Sequence, residues 1–232
     1  MPKFAVVLAA AGRSSRFGTT YHKKPFVDLQ GRPVWVRALE PFANHPDVVQ
    51  LLLVLSPDDQ DWFKEQFRPF LAQRPIELVA GGHERADSVQ NALSRVRHDV
   101  DFVAVHDAAR PLVTRALIDA VFEAALQTGA AIPACPISST IKRVHNGAIV
   151  ETVSRDNLWG AQTPQVFDRQ ILLQAYAGRN NFAATDEAQL VERTGHAVAI
   201  VECSALNLKI TTQTDLLLAE ALLEVMPNHS SF

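Results

Sequence analysis

Short apolar segments alternate with amphipathic segments along most of the chain. Residues 4–9 are all apolar and residues 48–55 are nearly all apolar, which is typical of strands that are covered on both faces. Apolar residues at helical spacing follow, for example in residues 33–44 and 115–128. Because strands and helices alternate in this way, the sequence predicts an α/β fold in which a mostly parallel, twisted sheet lies between two layers of helices.

The same criteria predict the remaining elements of this fold. Further strands are predicted at residues 76–80, 102–105, 130–134 and 196–202. Further helices are predicted at about residues 85–96, 168–178, 185–194 and 213–225. Thr185 is the predicted N-cap of the third of these helices.

The alternation changes between residues 138 and 160. Two strand-like segments flank Asn146 and Gly147, a pair that suits a tight turn with positive φ at both positions. Charged residues lie on one side of these segments, so we expect the hairpin to leave the body of the domain and to contact a partner. The prediction is one domain over residues 1–232 with a hairpin arm at about 138–160.

Charge and composition narrow the range of functions. A formal net charge of −3 provides no general basic field, which argues against nucleic acid as a partner. Cys135 and Cys203 lie far apart in sequence, so neither a disulfide framework nor a cysteine metal site is expected. Because a strand begins near the first residue and no apolar run is long enough to span a membrane, we expect a cytoplasmic protein without a membrane partner.

A small-residue, basic loop follows the first predicted strand. Ala10, Ala11 and Gly12 would let a ligand approach the main chain closely, and successive backbone N–H groups in such a loop can bind phosphate oxygens. Enough positive charge for a triphosphate lies nearby, on Arg13, Arg16, Lys23 and Lys24. An ordinary strand-to-helix turn with surface arginines, followed by a solvated lysine pair, explains the same residues equally well.

Three later strand ends also carry distinctive residues. Gly81 and Gly82 follow one predicted strand, Asp107 follows another, and Lys209 lies in a short extended segment before the last helix. Because the carboxyl ends of parallel strands meet at one edge of a sheet, we expect these residues to converge with the Gly12 loop around one ligand. Considered singly, Asp107 could cap a helix and Lys209 could simply face solvent.

The motifs of several enzyme classes are missing from the sequence. The Gly12 loop is neither a GxGxxG loop followed by an acid at the ribose-binding spacing nor a GxxxxGK[ST] loop, which argues against a nicotinamide dehydrogenase and an ATPase. The sequence also contains no nucleophile elbow and no His/Cys metal spacing. Positive charge with one well-placed carboxylate remains, and this combination suits phosphoryl or nucleotidyl transfer.

Eight motifs follow one another along the chain: AAAGRSSRFG, FVDLQGRPV, GGHERADSVQNAL, VHDAARP, STIK, RDNLWGAQTPQVF, ATDEA and LNLKITTQTDL. In these motifs and their order the chain resembles the 2-C-methyl-D-erythritol 4-phosphate cytidylyltransferases over essentially its whole length. The patterns GGxERxDSV, VHDAARP and LKIT are the most specific of them. The resemblance implies a Rossmann-like nucleotidyltransferase fold and transfer of CMP from CTP to 2-C-methyl-D-erythritol 4-phosphate, with release of pyrophosphate, in non-mevalonate isoprenoid synthesis. It also implies Mg²⁺ or another divalent cation and a homodimer interlocked by the hairpin arm.

The resemblance further implies roles for individual residues. Arg16 and Lys24 would stabilise charge on the α-phosphate and the departing pyrophosphate, although counting forward from Arg16 selects Lys23 instead. CTP would contact Ala10, Ala11, Gly12, Gly82, Ser88 and Asp107, and Asp107 would also lie near the metal. The polyol phosphate would contact Asp107, Arg110, Thr140, Arg155, Thr163, Thr185 and Lys209. Arg155 and Lys209 would be catalytic residues, and Arg155 would reach in from the neighbouring subunit.

Several positions depart from the family pattern. Ser14 replaces the usual second glycine of the loop, and His83, Ser139 and Leu206 replace acids. Related enzymes that act on ribitol 5-phosphate share much of the pattern, so this polyol is the alternative substrate. A non-catalytic nucleotide-binding subunit is the competing class, and the second basic set of Arg155 and Lys209 argues against it.

Overall fold

The computed structural model describes residues 1–12, 24–180 and 182–225. The strands are Phe4–Ala9 (β1), Asp28–Leu29 (β2), Arg32–Pro33 (β3), Val48–Leu55 (β4), Ile76–Ala80 (β5), Phe102–Asp107 (β6), Ala130–Pro136 (β7), Ile141–His145 (β8), Ala148–Val153 (β9), Trp159–Ala161 (β10), Gln165–Asp168 (β11) and Ala199–Glu202 (β12). The helices are Val34–Ala43 (α1), Gln60–Gln66 (α2), Arg68–Gln73 (α3), Arg85–Leu93 (α4), Arg115–Thr128 (α5), Arg169–Ala177 (α6), Glu187–Glu192 (α7) and Gln213–Val225 (α8). Within these ranges, none of the helices combines the length and the apolar character that a membrane crossing requires.

One large sheet carries the fold. Its strands lie in the order β10-β7-β11-β6-β1-β4-β5, and β12 pairs with β7. The strands β6, β1, β4 and β5 run parallel to one another, and β12 runs parallel to β7. The predicted α/β class with a mostly parallel sheet is therefore confirmed.

Two short antiparallel strands of this sheet are absent from the sequence-based prediction. β10 pairs with β7, and β11 lies between β6 and β7 and is antiparallel to both. β11 has only four residues and directly follows Pro164, so its sequence is typical of a loop. Its insertion beside β6 brings the residues before β11 close to the end of β6.

β1 is covered on both faces and supplies alternate side chains to two hydrophobic cores. Phe4, Val6 and Leu8 pack with residues of α1 and α5, whereas Ala5 and Val7 pack with residues of α4 and α6. All five side chains are fully buried. Because complete burial of a valine, leucine or phenylalanine stabilises a protein by about 1.5–3 kcal/mol, this strand is firmly held.

β8 and β9 form the predicted hairpin outside the main sheet. Asn146 and Gly147 make its turn with φ angles of +49° and +79°, as the Asn-Gly pair predicts. Val144, Ile149 and Val150 on this hairpin are 58%, 65% and 62% exposed. The hairpin therefore presents an apolar surface.

The N-cap of α7 differs from the prediction. The side chain of Asp186, not that of Thr185, accepts a hydrogen bond at 3.0 Å from the backbone N–H of Gln189. Thr185 is exposed, and its backbone N–H and hydroxyl donate to the side chain of Gln189. Glu187 consequently opens the helix and is buried.

A buried histidine fixes the main chain at the end of β6. His106 Nε2 lies 3.2 Å from the carbonyl oxygen of Arg110, and Nδ1 lies 3.0 Å from the Thr163 hydroxyl. A carbonyl can only accept, so Nε2 carries the proton and Nδ1 accepts from Thr163. The Thr163 oxygen in turn accepts the backbone N–H of Asp107 at 3.1 Å. Thr163, a predicted substrate contact, is thus only 4% exposed and holds Asp107 in place.

We expect the substitution His106→Asn to remove part of the pH dependence of stability. Burial lowers the pKa of His106 from 6.5 to about 4, so between these pH values the unfolded chain binds a proton that the native chain excludes. The stabilisation by the neutral imidazole is therefore complete above pH 6.5 and is lost as the pH falls toward 4.

Urea unfolding at a series of pH values between about 7 and 4 measures this effect. Between these limits, the free energy of unfolding of the wild-type protein should fall by about 3 kcal/mol more than that of the variant. Parallel pH profiles for the two proteins would show that His106 is not the titrating group.

Candidate active site

A cavity of about 390 Å³ opens at the carboxyl edge of the sheet. It lies between the loop after β1, the start of α4, the end of β6 and the segment before α8. Its lining includes Ala10, Ala11, Gly12, Gly82, Ser88, Asp107 and Lys209. The structure thus brings together the strand ends that were expected to converge. The volume is in the range of small-molecule sites.

Asp107 lies among three cationic side chains. Its Oδ2 lies 2.8 Å from Lys209 Nζ and 3.5 Å from Arg110 Nε, and its Oδ1 lies 3.9 Å from Arg85 Nη2. Burial by itself would raise the pKa of Asp107, but the charges of Lys209, Arg85 and Arg110 outweigh burial and hold this pKa well below its usual range. Asp107 is therefore ionised at neutral pH.

Arg85 is anchored on its other side by Glu187. The two carboxylate oxygens of Glu187 lie 2.6 Å and 2.8 Å from Nη1 and Nη2 of Arg85. Burial would lower the pKa of Arg85, but Glu187 and Asp107 raise it above its ordinary value. The sequence assigned neither Arg85 nor Glu187 a role. The only signal was their presence inside the GGxERxDSV and ATDEA motifs.

Arg110 lies behind the cavity wall and joins two segments of the site. Its Nη1 donates to the carbonyl oxygen of Asn207 at 2.7 Å. The side-chain amide of Asn207 donates to Gln162 Oε1 at 2.8 Å and to the Thr163 carbonyl oxygen at 3.0 Å. These bonds fix the segment that carries Lys209 against the residues before β11. Gln162 and Asn207 were also missed as site residues.

The glycine pair allows α4 to begin close to the loop after β1. A Cβ atom on Gly81 would lie 2.6 Å from the Ala11 Cβ, and one on Gly82 would overlap Asp87. The Ser88 hydroxyl accepts the Gly82 N–H at 3.0 Å and donates at 3.0 Å to a backbone carbonyl in the same turn. Ser88, a predicted CTP contact, therefore also holds the glycine loop in its conformation.

Five predicted substrate contacts do not line the cavity of this chain: Arg110, Thr140, Arg155, Thr163 and Thr185. Thr140 and Arg155 are exposed at the base of the hairpin, and Thr185 is exposed beside α7. Arg155 donates a hydrogen bond to the carbonyl oxygen of Ser138. Of the predicted polyol phosphate contacts, only Asp107 and Lys209 therefore line the cavity of the described chain.

The remaining predictions fall on residues that the structure does not describe. Arg13, Ser14, Arg16 and Lys23 lie outside the described residues, and so does the side chain of Lys24. The roles of Arg16 and Lys24, and the choice between Lys23 and Lys24, stay predictions from the sequence.

Comparison with known sequences gives matches over nearly the whole chain. The family model described as 2-C-methyl-D-erythritol 4-phosphate cytidylyltransferase matches residues 4–225. The protein of that name from Rhodopirellula baltica is 44% identical over 230 residues, covering 94% of each chain. The one from Bacillus licheniformis is 40% identical over 223 residues, covering 95% of this chain and 96% of its own.

Solved structures are similar as well. The crystal structure of 4-diphosphocytidyl-2C-methyl-D-erythritol synthase from Anaerococcus prevotii superimposes with a TM-score of 0.81 at 27% identity, covering 96% of each chain. That of 2-C-methyl-D-erythritol 4-phosphate cytidylyltransferase from Thermus thermophilus has a TM-score of 0.77 at 33% identity, covering 97% of this chain and 100% of its own. The chain belongs to the 2-C-methyl-D-erythritol 4-phosphate cytidylyltransferase family.

Proposed function

We propose that the protein transfers CMP from CTP to 2-C-methyl-D-erythritol 4-phosphate, with release of pyrophosphate, in the non-mevalonate route to isoprenoid precursors. The observation that carries this proposal is the ionised Asp107 with its three cations at a cavity on the carboxyl edge of the sheet. Ligands of open α/β sheets bind at such an edge. The names of similar proteins support the same reaction.

The charge of the cavity suits two anionic reactants. CTP and a polyol phosphate repel each other, so positive charge has to offset this repulsion before they can meet. Lys209 and Arg85 line the cavity, and the sequence predicts that Arg16 and Lys24 add further positive charge. A single preorganised donor of this kind can be worth about 3 kcal/mol in the transition state.

The nucleotide end of the cavity offers main-chain contacts. Ala10, Ala11, Gly12 and Gly82 line it, and their small side chains leave the backbone accessible to a ligand. Backbone N–H groups in such loops bind phosphate oxygens and base edges without a charged side chain. CTP would lie along this loop pair, with its triphosphate toward Arg16 and Lys24.

The reaction needs no protein nucleophile and no general base. A deprotonated phosphate oxygen of the polyol phosphate attacks the α-phosphorus of CTP. The bond between this phosphorus and the bridging oxygen of pyrophosphate breaks in line, and its electron pair leaves with pyrophosphate. The chain's own residues orient the reactants and offset their charge, which is the main source of catalysis in such transfers.

A divalent cation such as Mg²⁺ fits the site as an ion held mainly by CTP phosphates. Within residues 1–12, 24–180 and 182–225, no group of three or more His, Cys, Asp or Glu side chains could hold a metal ion. Three cations already surround Asp107, which leaves the phosphates as the main ligands, a common arrangement for Mg²⁺. The ion would neutralise phosphate charge when bound.

The functional form in this proposal is a homodimer joined through the hairpin arm. Val144, Ile149 and Val150 present an exposed apolar surface that a second chain could cover. Arg155 lies beside this hairpin and outside the cavity of its own chain. Dimerisation through the arm would bring Arg155 of the partner to the polyol phosphate.

A pyrophosphate-release assay tests the reaction. We expect release that requires CTP, Mg²⁺ and 2-C-methyl-D-erythritol 4-phosphate together, with ribitol 5-phosphate at least about tenfold poorer in kcat/KM. A preference for ribitol 5-phosphate would make that polyol the substrate. CTP binding without pyrophosphate release for either polyol would identify a nucleotide-binding subunit instead.

Two adjacent lysines allow a matched test of the loop after β1. We expect Lys24→Ala to lower kcat by a factor of about 100 or more with little change in the melting temperature, because it removes charge stabilisation in the transition state. Lys23→Ala is the control and should change kcat less than about threefold. The reverse ranking of the two variants would assign the role to Lys23.

Mixing two impaired variants tests whether Arg155 acts across the dimer. We expect Arg155→Ala alone to raise mainly the KM for the polyol phosphate. If Arg155 serves the partner's site, a mixed dimer of Arg155→Ala and Lys24→Ala has one site with both wild-type residues. When subunits of the two variants reassort at random, about half of the dimers are mixed, and one of the two sites in each mixed dimer is complete. About a quarter of all sites would then regain activity. Activity no higher than the sum of the separate variants would show that Arg155 acts within its own chain.

A further inference from the structure

Glu187 and Tyr176 form a buried support behind Arg85, and the function proposed above uses neither of them. Glu187 is 1% exposed and binds both terminal nitrogens of Arg85, at 2.6 Å and 2.8 Å. The Tyr176 hydroxyl donates to the same carboxylate at 3.1 Å. Burial and the Glu187 charge raise the pKa of Tyr176, so the hydroxyl stays a donor. The Arg85 guanidinium is therefore held in one orientation.

The position of Glu187 is itself fixed by the sheet. Gln165, at the start of β11, is 1% exposed. It donates to Asp186 Oδ2 at 2.9 Å and accepts the Ala188 N–H at 3.0 Å. β11 in turn pairs with β6, the strand that ends in Asp107. The distance from Glu187 to the cavity is thus set by strand pairing and not by a loop.

Arg85 stops short of a hydrogen bond to Asp107. The 3.9 Å between its Nη2 and Asp107 Oδ1 is within ion-pair range but beyond hydrogen-bond distance. The other oxygen of Asp107 faces Lys209 and Arg110. A guanidinium prefers to bind one carboxylate through two parallel N–H bonds, and Glu187 occupies both terminal nitrogens. Oδ1 is therefore a charged acceptor without a hydrogen bond from Arg85.

We propose that Glu187 and Tyr176 are positioning residues that hold the Arg85 guanidinium off Asp107 and so keep Oδ1 open to a ribose hydroxyl of CTP. This inference rests on the proposed use of CTP. A hydroxyl is the fitting partner, because Arg85 would repel a second cation at Oδ1, whereas an O–H donor gains from a charged acceptor. Without the Glu187 charge, the guanidinium can pair with Asp107 and block Oδ1.

Calorimetric binding of CTP and of 2′,3′-dideoxy-CTP tests this proposal. The ratio of the two Kd values reports the contribution of the ribose hydroxyls. In the wild-type protein the dideoxy nucleotide should bind about tenfold or more weakly, as expected for a hydrogen bond to a charged group. In Glu187→Gln the ratio should fall to about two or less. No transfer occurs in this measurement, so a failure of the proposed reaction is detected separately by pyrophosphate release.

Further variants separate positioning from a purely structural role. In the double variant Arg85→Met/Glu187→Gln no guanidinium can block Oδ1, so the ratio should return toward the wild-type value. Tyr176→Phe removes one hydroxyl and should lower the ratio partly, and it remains informative if Glu187→Gln does not fold. Glu40→Gln is the matched control, because it removes a carboxylate that Arg32 binds at 2.7 Å and 2.9 Å outside the cavity lining.

Three results would overturn the proposal. The first is a wild-type ratio near one, which would mean that no hydroxyl uses Oδ1. The second is an unchanged ratio in Glu187→Gln, or in Tyr176→Phe when only that variant folds. The third is a ratio that stays low in the double variant, because the guanidinium would then not be the blocking group.

Discussion

A carboxylate removed from water is costly unless nearby cations compensate it, by several kcal/mol for each buried ion. Asp107 meets this requirement with three cations, and each comes from a different segment: Arg85 from the start of α4, Arg110 from the turn after β6, and Lys209 from the segment before α8. Without the carboxylate, these cations would repel one another. The negative charge of Asp107 thus holds the three segments that carry these cations close together.

The position of β6 in the sheet places the Asp107 carboxylate at the cavity. Asp107 pairs in register with Ala9, so the small-residue loop after β1 begins directly beside it. On the other side, β11 places Thr163 where it can accept the Asp107 N–H and donate to His106. The strand order therefore determines both what surrounds the carboxylate and what fixes its main chain.

Much of the fold was predictable from the sequence, because long apolar runs and helical spacing are local signals. β1, β4, β5 and α5 have the predicted bounds. β11 was not predictable, since four residues after a proline carry no strand pattern and gain their place only by pairing with β6.

The candidate site shows the same division between local and long-range signals. Asp107 and Lys209 were predictable because each ends an extended segment at the expected edge of the sheet. Arg85 and Glu187 lie 102 positions apart, so no local pattern indicates their ion pair. In the sequence, Glu187 is typical of an acid in the first turn of an exposed helix, whereas in the fold it is buried. The use of Thr163 within a buried hydrogen-bond chain likewise depends on tertiary contacts.

The substitution Asp107→Asn tests most directly whether the reaction depends on the charge of Asp107. The quantity to measure is kcat/KM for pyrophosphate release from CTP and 2-C-methyl-D-erythritol 4-phosphate. The matched control is Asp99→Asn, since Asp99 also pairs with two cations, Lys3 at 2.8 Å and Arg97 at 2.7 Å, but its side chain is 45% exposed and lies outside the cavity lining. We expect a loss of about 100-fold or more for the folded Asp107 variant and less than about threefold for the Asp99 variant. Equal kcat/KM values in the two variants would contradict a site built on the charge of Asp107.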